Sequence, residues 1–255
     1  MTINFKPKRT APLVLRFGRN TAGRDLLVGD IHGHFSKLQA ALDAVGFDPS
    51  AGDRLFSVGD LVDRGPESML ALEWVHRPWF HAVAGNHEDF AIRWPNGHME
   101  AGNYAANGGA WNIANDPVTQ RDFALAFADL PVAMELDTAA GLLGIVHADC
   151  PGSSWSDFVG ALISPGLSNA ERERLIDWAQ WSRSRIKGAT STPLAVSGVR
   201  AVVVGHTPLT RPTWLANVLY IDTGAWLPGP HGDGEFCLID AETLRAAEQP
   251  STLRW

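Results

Sequence analysis

Cysteine is almost absent from this chain: Cys150 and Cys237 are the only two in 255 residues, and they stand far apart. They offer no disulfide framework, and a reducing compartment fits them best. Basic residues are also scarce, 21 Lys and Arg against 28 Asp and Glu, for a formal net charge of −7. That deficit excludes a nucleic-acid binder working through bulk charge, which needs a basic face to displace counterions. Long apolar runs are missing too, and none approaches the ~20 residues that span a bilayer. Met1 to Arg9 carries charge but no apolar core long enough for a signal peptide. There is no internal repeat, no heptad run and no low-complexity segment. The expectation is a soluble, cytoplasmic protein with no nucleic-acid and no membrane partner.

What is present is enough for a full core, with 45% apolar and 19% charged residues. No composition shift marks an internal boundary. The expected organisation is a lead segment over 1–24 and one domain over 25–255.

The chain alternates short apolar runs with amphipathic stretches. Leu26-Leu27-Val28, Leu55-Phe56-Ser57-Val58 and Phe80-His81-Ala82-Val83-Ala84 read as buried strands. Phe35, Leu38, Leu42 and Val45 recur at helical spacing, with Gly46 as the C-cap. Pro66 is expected to open a second helix reaching Val75, and a third begins near Glu88. This β-α-β-α-β-α order argues for parallel strands covered by helices. Farther on, helices are expected over Gln120–Asp129 and Ala170–Trp181. Strands are expected over Val132–Leu136, Leu142–Val146, Ala201–Val204, Val218–Ile221 and Glu235–Ile239. Asn96–Asn115 and Cys150–Pro165 read as irregular.

The informative residues stand just after the apolar runs. They are Gly29-Asp30-Ile31-His32, Gly59-Asp60-Leu61-Val62-Asp63-Arg64, Gly85-Asn86-His87-Glu88, His147-Ala148-Asp149 and Gly205-His206-Thr207-Pro208. In a parallel sheet such positions share the carboxyl edge, where α/β folds place ligand sites. Any one Gly-Asp is usually a turn, and any one His usually a hydrogen-bonded structural residue. Five such sites, each capping a strand, make coincidence a poor account. Asp30, His32, Asp60, Asn86, His147 and His206 form a mixed oxygen and nitrogen set suited to Mn, Fe or Zn. Six donors exceed the need of one tetrahedral ion and suit a two-metal site with a bridging carboxylate. His34, His76, His81, His98 and His231 read as structural or surface residues, and Asp149 as a turn former. Trp111, Trp155, Trp178 and Trp181 are expected mostly to pack, as large aromatic residues do.

These motifs resemble the three signatures of the phosphoprotein phosphatases, within the calcineurin-like metallophosphoesterases. The resemblance continues through Gly205-His206-Thr207-Pro208 and Ile221-Asp222-Thr223-Gly224-Ala225, so it spans about residues 25 to 240. His147-Ala148-Asp149, Asn107-Gly108-Gly109 and Trp181-Ser182-Arg183-Ser184-Arg185 resemble the small bacterial and phage branch. That branch carries no expectation of a eukaryotic-style regulatory subunit.

The resemblance implies an α/β fold built as a β-sandwich of two mixed sheets flanked by helices. It implies two divalent ions, manganese first, with iron or zinc fitting the same ligands. Asp30, His32 and bridging Asp60 would hold one ion; Asp60, Asn86, His147 and His206 the other. His87 would be the general acid, oriented by Asp63. Arg64, Asn86 and Arg183 would bind the phosphate, with Arg185 the alternative to Arg183. The implied activity is a metal-dependent phosphomonoesterase, a serine/threonine protein phosphatase using direct attack by a bridging hydroxide. Its substrate would be a phosphorylated protein or a small phosphate ester. Two rivals share the motifs: a symmetric diadenosine tetraphosphate hydrolase and a catalytically silent metal-binding scaffold. Asp63 and Glu88 favour the phosphatase over the first. Retention of all six ligands together with His87, Asp63 and Arg64 counts against the second.

Overall fold

A computed structural model describes residues 9–189, 192–227 and 234–244. The three early apolar runs become β2 (Asp25–Val28), β3 (Arg54–Ser57) and β4 (Phe80–Ala82), paired in parallel, with Leu27 opposite Phe56 and Phe56 opposite His81. On the far side of β2, β10 (Leu238–Asp240) runs antiparallel and completes a four-stranded sheet. A second sheet holds six strands in the order β1-β5-β6-β7-β9-β8. They are β1 (Val14–Phe17), β5 (Ala133–Thr138), β6 (Gly141–Val146), β7 (Ala201–Val204), β8 (Thr213–Leu215) and β9 (Val218–Tyr220). Both sheets are mixed: β5–β6 and β8–β9 are antiparallel, whereas β1–β5, β6–β7 and β7–β9 are parallel.

Side chains alternate faces along a strand, and that alternation builds four layers. Leu27 and Phe56 meet Met134, Leu136, Leu143, Ile145, Val203 and Leu219 between the sheets. The other face of the smaller sheet presents Leu26, Val28 and Leu55 to Phe35, Leu38 and Leu42 of α1 (Phe35–Ala44). Trp74 of α2 (Ala71–Val75) and Phe123 and Phe127 of α6 (Pro117–Ala128) finish that layer. On the larger sheet, Val146, Val202 and Val204 pack against α7 (Trp155–Ile163) and α8 (Asn169–Trp181). Between these lie α3 (Asn86–Arg93), α4 (Ala101–Ala106) and α5 (Ala110–Ile113). The order helix, sheet, sheet, helix is the sandwich expected from the resemblance, and the parallel start is one of its two sheets.

Several local expectations need correction. Pro66 lies in a turn, and α2 begins only at Ala71, after a 3₁₀ turn over Ser68–Leu70. The stretch read as irregular over 150–165 contains α7, capped by Ser154, whose hydroxyl accepts from the Asp157 amide. Asn96–Asn115 holds α4 and α5 around its Asn-Gly-Gly turn. Val14–Phe17, within the expected lead segment, is an edge strand, with Val14 opposite Ala133. The short strand β8 was not foreseen. His231 lies outside the described residues.

Candidate metal centre and active site

The ends of β2, β3, β4, β6 and β7 converge, and they carry the expected residues to one place. A cavity of about 300 Å³ opens there, with Asp30, His32, Asp60, Asn86, His87 and His206 on its floor. Arg64, Arg183, Asn107, Trp181, Pro208 and Trp226 form its walls. His147 lies beneath, fully buried.

Two sets of donor atoms cluster, His32 with Asp60 and His87, and Asp60 with His147 and His206. Asp60 belongs to both, as a bridging ligand must. Its Oδ2 lies 3.6 Å from His32 Nε2, and its Oδ1 lies 3.4 Å from His147 Nε2. Each histidine is turned by a bond on its other nitrogen. His32 Nδ1 donates to the Val62 carbonyl at 2.9 Å, and His147 Nδ1 to the Val58 carbonyl at 2.7 Å. That arrangement leaves both Nε2 lone pairs aimed at the cluster, as a carbonyl on the far ring nitrogen does for histidines that bind metals. His147 Nε2 also faces Asn86 Oδ1 at 3.0 Å and His206 Nδ1 at 3.2 Å. Two ring nitrogens, an amide oxygen and a carboxylate gathered this tightly are a donor set for a divalent cation. The residues fit a metal pair.

The electrostatics agree. Burial, with Asp222 and Asp60 nearby, drives the Asp30 carboxyl well above the usual range. Burial lifts Asp222 to about 6 and Glu88 to about 7. Burial would lift Asp60 as well, but His147, His87 and His32 outweigh it and hold Asp60 well below the usual range. Burial depresses His32 and His206. So many acids at one dry point repel one another unless positive charge joins them.

The backbone is bent to suit. Among the described residues, six non-glycines have left-handed φ, and His32, Asp60, Asp63, Arg64 and His206 are five of them. Such conformations cost about 1–3 kcal/mol each and persist where the surroundings over-determine them. Gly85 shows how close the packing is: a Cβ there would stand 2.2 Å from Asp60 Oδ1.

His87 borders the donors, its amide donating to Asp60 Oδ1 at 3.0 Å and its Nε2 3.9 Å from Asp60 Oδ2, but its ring is held by a different carboxylate. Its Nδ1 lies 2.7 Å from Asp63 Oδ2, and its Nε2 faces the cavity 3.5 Å from Arg64 Nη2. Asp63 is fully buried; burial raises its pKa, and the bond to His87 opposes that. The two candidate arginines separate cleanly. Arg183 lines the cavity and donates to the His206 carbonyl at 3.1 Å. Arg185 is 1% exposed and spent inside the core, on Asp149 Oδ1 at 2.8 Å and on the carbonyls of Cys150 and Gly152. Asp149 is therefore half of a buried ion pair, more than the turn former expected.

Some residues in or beside the motifs have roles that their spacing does not announce. Glu88 accepts from the amides of Asp60, Leu61 and Gly85 at 2.8–2.9 Å, which ties the ends of β3 and β4 together. Trp226 stacks on Arg64, and Asn107 and Trp181 reach the cavity. Of the four tryptophans expected mostly to pack, Trp155 is core, Trp181 lines the site, Trp178 is 37% exposed, and Trp111 bonds to Asp63. His34, His76, His81 and His98 stand outside the cavity lining.

Residues 24–209 match the calcineurin-like phosphoesterase family, and the chain belongs to that family. It is a metallophosphoesterase, a hydrolase of phosphate esters, in a family that works through a pair of metal ions. Serine/threonine-protein phosphatase 2 of Salmonella typhimurium is 34% identical over 211 residues, 80% of this chain and 88% of that protein. The asymmetrical bis(5'-nucleosyl)-tetraphosphatase PrpE of Anoxybacillus flavithermus is 27% identical over 250 residues, 89% and 94%. A solved protein serine/threonine phosphatase from Saccharomyces cerevisiae superposes with a TM-score of 0.52 over 95% of this chain and 87% of that one. At 16% identity the last is a likeness of fold.

Proposed function

We propose that this chain is a serine/threonine protein phosphatase acting on phosphorylated proteins or small phosphate esters. The observation that carries the reading is the His87–Asp63 pair, 2.7 Å apart, with His87 Nε2 open to a cavity walled by arginines. Asp30, His32 and Asp60 would hold one ion and Asp60, Asn86, His147 and His206 the second. Manganese is the first candidate, and iron or zinc suit the same donors. When bound, two dications acidify a water at neutral pH and neutralise phosphoryl oxygens.

The chain's own groups do the rest. Arg64 and Arg183 grip and orient the phosphoryl group with planar, charge-assisted bonds, helped by the Asn86 amide. His87 Nε2 delivers a proton to the departing alkoxide, and Asp63 holds the ring and supports its charge. The strand ends supply no cysteine and the reaction needs no nucleophilic side chain. We further propose a cytoplasmic setting, which two widely separated cysteines suit, and no regulatory subunit of the eukaryotic kind.

A dinucleotide polyphosphate is the second reading, favoured by the tetraphosphatase relative and by two indoles, Trp181 and Trp226, in the cavity lining. The test compares a phosphoserine peptide with diadenosine tetraphosphate, using metal-stripped protein reloaded with one metal at a time. Faster turnover of the peptide is expected. Faster turnover of the dinucleotide would replace this reading, and full activity without metal would end it.

A further inference from the structure

Trp111 approaches the site from α5, one turn beyond the Asn107-Gly108-Gly109 bend. Its indole Nε1 donates to Asp63 Oδ1 at 2.6 Å, while Asp63 Oδ2 is the oxygen engaged by His87. Both oxygens of a fully buried carboxylate are thereby committed. The distinction matters because the terminal torsion of an aspartate is soft and broad. One hydrogen bond leaves the carboxylate free to turn about Cβ–Cγ; a second, from a rigid ring, stops it. The ring is itself braced, edge-on against Phe123 of α6 with centroids 4.8 Å apart.

The same insertion also backs the main chain beneath Asp63. Asp63 and Arg64 are consecutive left-handed residues, with φ of +70° and +65°. The Asp63 amide donates to Ser68 Oγ at 2.9 Å, and the Gly65 amide to the Asp63 carbonyl at 2.7 Å. Gly108 lies so near that a Cβ on it would stand 2.4 Å from the Arg64 nitrogen. The α4–α5 segment therefore touches both the side chain and the backbone of this strained turn.

We propose that Trp111 is a positioning residue for leaving-group protonation, locking the Asp63 carboxylate so that His87 Nε2 stays aimed into the cavity. The inference rests on the reading of His87 as general acid. In the step concerned, water oxygen bonds to phosphorus as the bond from phosphorus to the ester oxygen breaks. The proton on His87 Nε2 passes to that oxygen, giving the alcohol and inorganic phosphate. Trp111 touches neither reacting atom and acts through Asp63.

Leaving-group dependence separates this role from a merely structural one. An alkoxide leaves poorly without a proton, whereas a dinitrophenolate leaves well unaided. Trp111→Phe keeps a ring against Phe123 and removes the N–H. With manganese bound, it should lower kcat on a phosphoserine peptide about tenfold, a fraction of what a full general acid supplies. Turnover of 2,4-dinitrophenyl phosphate should stay within about twofold, by the same measure. Manganese affinity measured by calorimetry should be unchanged. Trp111→His, which restores a ring N–H, should recover part of the peptide rate and remains informative should the Phe variant fail to fold. His87→Asn supplies the reference, with a steeper loss in the same direction. A Trp111→Phe enzyme that slows equally on both substrates, or on neither, while His87→Asn discriminates, overturns the proposal. A His87→Asn enzyme that does not discriminate overturns the general-acid reading itself.

Discussion

The guanidinium of Arg64 lies over the face of Trp226, its Cζ 4.3 Å from the ring centroid, and the same indole meets His32 edge-on at 4.6 Å. Arg64 is otherwise exposed on a strained turn, so the stack supplies what orients it. Trp226→Ala should raise KM about threefold, the size of an exposed cation–π contact, with kcat within about twofold. Steady-state kinetics on a phosphopeptide check this, and an unchanged KM would show that Arg64 needs no such support.

Arg183 and Arg185 stand two positions apart and should fail in different ways. Arg183→Ala should weaken competitive inhibition by inorganic phosphate about tenfold while the protein melts near the wild-type temperature. Arg185→Met leaves the buried Asp149 carboxylate without its partner, a change that costs about 3–5 kcal/mol. Thermal melting and phosphate inhibition, measured on both variants, separate the two. Reversed outcomes would exchange their roles.

Metal binding should stabilise the fold more at pH 7.5 than at pH 5.5. Asp30 is driven well above the usual range by burial, and burial lifts Asp222 to about 6. Asp30 holds its proton in the metal-free protein as pH falls, with Asp222 beside it, and an ion can bind Asp30 only by displacing that proton. The rise in Tm on adding manganese to metal-stripped protein should therefore shrink as pH drops through 6. An increment independent of pH would mean that Asp30 does not face the ions.

His81 offers an acid-sensitive point away from the site. It packs against Phe17 at 4.5 Å and Phe56 at 5.1 Å, and burial, with Arg54 nearby, lowers its pKa to about 4. The folded value lies below the unfolded one of about 6.5, so its contribution is full above 6.5 and is lost as pH falls toward 4. His81→Leu should narrow the fall in Tm between pH 7.5 and pH 5. A fall as large as that of the wild type would place the acid sensitivity elsewhere.

The site's donors were legible in sequence because each apolar run breaks at once into Gly-Asp, Gly-Asn or His, a signal that is local and repeated five times. The choice between Arg183 and Arg185 was not, since only burial against the turn over Asp149–Gly152 distinguishes them. Trp111 binds a carboxylate 48 residues away, and no spacing announces such a bond. Helix α7 is a different kind of miss. Trp155, Phe158, Val159 and Leu162 do recur at helical spacing behind a Ser154 cap. Their signal was lost among neighbouring Gly, Ser and Pro residues. The short strands β1 and β8 owe their existence to pairing: β1 has four residues and β8 three, too few to carry a periodicity of their own.

The edge strand β1 also sets an order in time. Arg16 and its partner Glu135 on β5 are 119 residues apart. At the pace of synthesis, β1 waits on the order of ten seconds before β5 exists to receive it. Until then a short apolar segment is an unpaired strand, open to neighbours of any kind. The larger sheet is therefore sealed at this edge late, by a strand made well before its partner.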